Sequence, residues 1–156
     1  MEENSKPILG EIIRTLKILH LAIVLSSILF LVVSFVIVSV IGPLVKMEKA
    51  DSQLLLTIGM VAGTALVGLA YYIHSQRVQK IMQAPLDMKL KSYRVSMLLK
   101  IAFMEAASFF VLVIYLLTAI NSMLAAAAII VIIMLLNRPG AELISHELNL
   151  SGDESQ

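Results

Sequence analysis

The chain has 156 residues, 59% of them hydrophobic and only 15% charged, which is too apolar for an ordinary water-soluble domain. A net charge of +1 makes no electrostatic case for nucleic acid, and the lack of cysteine removes disulfides, thiol chemistry, cysteine zinc sites and iron–sulfur ligation. The apolar residues fall in four long runs, so an all-α polytopic membrane protein is expected, a single transmembrane domain with four transmembrane helices.

Residues 1–17 read as an amphipathic lead-in. Ser5-Lys6-Pro7 is a helix start with proline in the first turn, and Ile8, Leu9, Ile12, Ile13 and Leu16 keep one apolar side. Either this segment lies on the membrane surface or it is a charged anchor fixing the depth of the first span. That span covers about 18–41, ends at Gly42-Pro43, and reads as an uncleaved span with no small-residue cleavage pattern after it. His20, Ser27 and Ser34 fall seven apart and share a face.

The second span, about 54–74, is rich in small residues. Gly59 and Gly63 form a GxxxG pair and Gly68 follows, a face on which another helix can pack closely. Residues 75–94 then set five bases, Arg77, Lys80, Lys89, Lys91 and Arg94, against the single acid Asp87. Ala84-Pro85 is the expected corner. The third span covers about 95–119, Asn121-Ser122 allows only a short turn, and the short fourth span covers about 123–136. A polar tail fills 137–156, with one amphipathic turn expected around Leu143, Ile144 and Leu148. Lys and Arg crowd the amino end and the central loop, which puts both termini in the cytoplasm and suggests a bacterial inner membrane.

Within the third span stands Glu105, the only acid inside any long apolar run. About ten mostly apolar residues flank it on either side, which places it near mid-bilayer. An ionised carboxylate is costly there, so the group is expected to be protonated at rest and to exchange its proton when a cation or water comes near. Ser108, one turn on, and Tyr115, two turns further, are the expected hydrogen-bonding supports. The competing expectation is a fixed interhelical clasp with no turnover. The scattered His20, His74 and His146 make no metal site, and no cofactor fingerprint or catalytic set is present, so no enzyme is expected.

The segment Arg94…Leu98-Leu99-Lys100-Ile101-Ala102-Phe103-Met104-Glu105-Ala106, followed by Leu112-Val113, resembles the carboxylate helix of the c-subunit, the proteolipid of rotary ATP synthases. As in that family, a glycine-bearing helix and a polar loop, here with Gln83-Ala84-Pro85, precede it; the likeness covers about residues 54–119. The loop lacks the family's arginine, and a span is added before and after the hairpin, so a divergent four-span relative is implied. The resemblance implies that Glu105 is a proton site and that Gly59, Gly63 and Gly68 let neighbouring helices pack into a ring. It also implies that a partner subunit supplies an arginine. A proton is expected in place of sodium, because Ala106 and not a hydroxyl follows Glu105. The expected partners are membrane lipids together with further copies of the chain or other subunits of a membrane complex. The alternative is an accessory or scaffolding subunit.

Overall fold

The computed structural model describes residues 5–148 and is all-helical over them: α1 (Ser5–Ile41), α2 (Lys49–Ile81), α3 (Leu86–Thr118), α4 (Asn121–Leu136) and α5 (Ala141–Leu148). At about 1.5 Å per residue the first three helices run about 50–55 Å, well beyond the roughly 30 Å of a bilayer's hydrocarbon core. All three are long and apolar enough to cross a membrane. The fourth has 16 residues, about 24 Å, and falls short of that length.

The helix ends follow local chemistry. Gly42, at φ 84°, takes the left-handed position that closes α1, and its N–H donates to the Val38 carbonyl. Pro85 cannot continue α2 and caps the start of α3, accepting from the Lys89 N–H. The turn between α3 and α4 lies two residues earlier than the sequence suggests. Ala119 is left-handed at φ 54° and Ile120 is extended, while Asn121 and Ser122 already belong to α4.

The expected boundary near residue 17 is not a boundary. The lead-in continues unbroken into the span, and its Ile12 and Leu16 are buried in the core. Rigid continuation of one helix excludes a separate surface segment over the described part; residues 1–4 lie outside it. The tail likewise does more than expected up to residue 148. Arg138-Pro139-Gly140 turns the chain, and α5 folds back with Ile144 and Leu148 fully buried. Residues 149–156 of the expected tail lie outside the described residues.

Helix α3 is the hub, packing on α1, α2 and α4. Half of its most apolar window is buried inside the protein, against 17% for α1 and for α2. Helices α1 and α3 run parallel: Ser26 meets Glu105, and one turn on Phe30 meets Phe109 edge-to-face with ring centres 4.9 Å apart. Helix α2 is antiparallel to α3, since His74 meets Ser96 while Gly63 meets Val111. His20 bonds to the Met134 carbonyl and Asn137 to Tyr71, so the start of α1, the end of α2, the start of α3 and the end of α4 share one end of the bundle. Leu21, Leu25, Leu29, Val32 and Val36 along α1 stay exposed, an apolar surface that suits lipid and not water.

The small face of α2 is used within the chain. A Cβ at Gly59 would come within 2.8 Å of Ile114 Cδ1 and 2.9 Å of Met123 Sδ, and one at Gly63 within 2.8 Å of Val111 Cγ2. These two glycines therefore seat α3 and α4 of the same chain, a packing within the chain that the sequence reading, which assigned them to neighbouring helices of a ring, did not foresee. Gly68 makes no such contact within the chain: it is exposed, with nothing near its missing Cβ. It lies five residues beyond Gly63, which turns it away from the buried line of Gly59, Gly63, Ala70 and His74.

Candidate functional site

Glu105 lies at the α1–α3 seam, half-buried, between the exposed Ala102 and Ala106. These small neighbours leave the carboxyl at the edge of the bundle, within reach of a chain packed alongside. The hydrogen bond to it comes from Ser26, whose Oγ is 2.7 Å from Oε1. Ser108, the expected support, is fully buried and its hydroxyl has no partner. Tyr115 is buried too, and no hydrogen bond joins it to Glu105 among the described residues. The sequence argument looked along Glu105's own helix, whereas the partner comes from the parallel helix.

Ser26 Oγ also lies 2.9 Å from the Ile23 carbonyl. A serine hydroxyl has one hydrogen and two lone pairs. With Glu105 ionised, Ser26 donates to the carboxylate. With Glu105 protonated, the carboxyl O–H donates to Ser26 Oγ, and the serine hydrogen turns to the Ile23 carbonyl. Both protonation states are hydrogen-bonded without moving a heavy atom.

Lys100 does not reach this carboxyl's side. Five residues earlier on α3, it points toward α2, with Nζ 4.4 Å from the centre of the Tyr71 ring, a cation–π contact. The Tyr71 hydroxyl accepts from Asn137 Nδ2 at 2.7 Å. Beside it lies a second group of polar residues. Glu147 of α5 accepts from Tyr93 Oη at 2.7 Å and from His74 Nε2 at 3.1 Å, and His74 Nδ1 lies 3.0 Å from Ser96 Oγ. Facing a carboxylate, His74 Nε2 carries a proton, while Nδ1 accepts from Ser96 when the ring is neutral and donates to it when the ring is charged. Burial pushes the Glu147 carboxyl up, but the hydrogen bonds from His74 and Tyr93 and the charges of His74 and Lys100 outweigh it. The net result lies below the usual 4.5.

The order Ser96–His74–Glu147 has the connectivity of a nucleophile, base and orienting acid. Ser96 is wholly buried, however, so no substrate carbonyl reaches it. The cluster ties α5 to α2 and α3. Sequence reasoning missed it because His74, the Ser96–Lys100 turn of α3 and Glu147 are far apart in the chain. The available signal was Lys100, a base placed inside the apolar start of the third span. No group of three His, Cys, Asp or Glu that would hold a metal occurs among the described residues.

Fold and surface together define an all-helical membrane protein. No family model matches the chain, and neither a curated protein nor a solved structure is similar to it.

Proposed function

We propose that the protein is a four-span membrane protein, both ends cytoplasmic, that binds and releases a proton at Glu105 beside a partner subunit or a second copy of itself. A bacterial inner membrane suits this reading. The supporting observation is the Ser26 hydroxyl placed between the Ile23 carbonyl and Glu105, which satisfies the carboxyl in either state. An acid built only as a clasp has no need of a partner that serves both forms. The likeness to the rotary proteolipid stays part of this proposal for the carboxylate helix alone, because Gly59 and Gly63 are filled from within. A partner would instead meet the seam at Ala102, Glu105 and Ala106, and would supply the cation that Lys100, turned toward Tyr71, does not.

A second reading, a non-catalytic accessory or scaffolding subunit, is favoured by the same bond seen as a static link from α1 to α3. A hydrophobic carbodiimide separates the two. Proton exchange expects covalent labelling of Glu105 that fades as pH rises and is lost in Glu105→Gln. A clasp expects no labelling, and a Glu105→Gln variant that assembles and functions like the parent.

A further inference from the structure

Outside both polar sites, a groove of about 410 Å³ opens between the end of α2 and the start of α3. Arg77, Lys80 and Ile81 form one wall, and Lys91, Ser92 and Val95 the other. The His74–Ser96 contact sets the depth. Going outward from it along the antiparallel pair, Val95 comes first, then Arg77 opposite Ser92, then Lys80 with Lys91. The groove thus has apolar Val95 at its inner end, where the third span begins, and the three cations outward of it, with Ile81 at the outer rim. Ile73 and Leu99, one turn further in from Arg77 and Val95, are apolar and half-buried.

Three cations converge here, and among the described residues none is in a salt bridge. Arg77, Lys80 and Lys91 are exposed, so an anion brought between them would relieve their mutual repulsion. The other end of the bundle is different: Lys46 and Lys49 there alternate with Glu48 and Asp51.

We propose that this groove binds an anionic phospholipid of the surrounding leaflet. Arg77, Lys80 and Lys91 hold the headgroup phosphate, Ser92 donates a hydrogen bond to it, and an acyl chain runs inward over Val95. A cationic pocket between membrane helices, open to the bilayer at its apolar end, has the shape and charge order of a lipid and not of a soluble anion. The site rests on the membrane reading of the chain and not on Glu105.

The test is native mass spectrometry of the full chain released from nanodiscs of mixed phosphatidylglycerol and phosphatidylcholine. Bound phosphatidylglycerol is expected to be retained selectively. Each basic residue near a membrane surface contributes about a fivefold preference, so Arg77→Gln/Lys80→Gln/Lys91→Gln should lower retention about 100-fold. Lys46→Gln/Lys49→Gln, at the opposite end, should leave it unchanged. Single Lys91→Gln, with about a fivefold loss, keeps the test open should the triple variant unfold. Equal retention of both lipids, an unaffected triple variant, or displacement of the lipid by millimolar inorganic phosphate would overturn the proposal.

Discussion

Two carboxylates in this protein are held by opposite means. Glu105 has one hydroxyl partner that serves either protonation state, whereas Glu147 has two donors and nearby positive charge that favour the ionised form. Since the folded carboxyl of Glu147 titrates below its usual 4.5, its contribution to holding α5 is complete above that value and is lost as pH falls through the lower folded one. The α5 amides are therefore expected to be well protected from hydrogen exchange at neutral pH and to lose that protection as pH falls below 4.5. Tyr93→Phe removes a donor to a charged acceptor, worth about 1.5–3 kcal/mol. It should quicken exchange in α5 at neutral pH while leaving the amides near Glu105 unchanged.

At the level of elements, the glycines of α2 differ by position and not by type. Val111 is β-branched and stiff, and its Cγ2 would stand 2.8 Å from a Cβ at Gly63. Gly63→Ala should destabilise the bundle by about 1–3 kcal/mol through overpacking. Gly68→Ala meets open space in a helix interior and should be neutral or stabilising by up to about 1 kcal/mol. Thermal unfolding in detergent compares the two. The sequence shows that α2 is a helix of small residues. It does not show which helix fills them, because a GxxxG pair is the same whether its partner is in the same chain or another. The three long apolar helices and the corners at Gly42 and Pro85 were legible because these residues and the apolar runs act locally. The unbroken α1 and the return of α5 were not, because polar residues at helix ends look alike whether they face water or a buried histidine.

For the whole molecule, the bundle places the start of α1 and the end of α4 together with the α2–α3 corner. The bases of residues 75–94 lie at this end, which the proposed reading turns toward the cytoplasm. The chain has no cysteine, so single cysteines report cleanly on sidedness. Cysteines at Gln83 and Arg138 should react with an impermeant maleimide only in inverted vesicles, and one at Glu48 only in right-side-out vesicles. The presence of Glu105 within an apolar run was legible in the sequence, since an acid there stands out by itself. Its hydrogen-bonding partner was not, because a parallel helix 79 positions earlier supplies it.

The reading of Glu105 as a proton-exchanging group is tested most directly by infrared difference spectroscopy of the protein in lipid, titrated with pH. The expected result is a protonated-carboxyl band that disappears reversibly as pH rises, is missing in Glu105→Gln, and shifts in Ser26→Ala. A Glu105 band that does not change across the accessible pH range would contradict the account and leave the carboxyl a fixed link between α1 and α3.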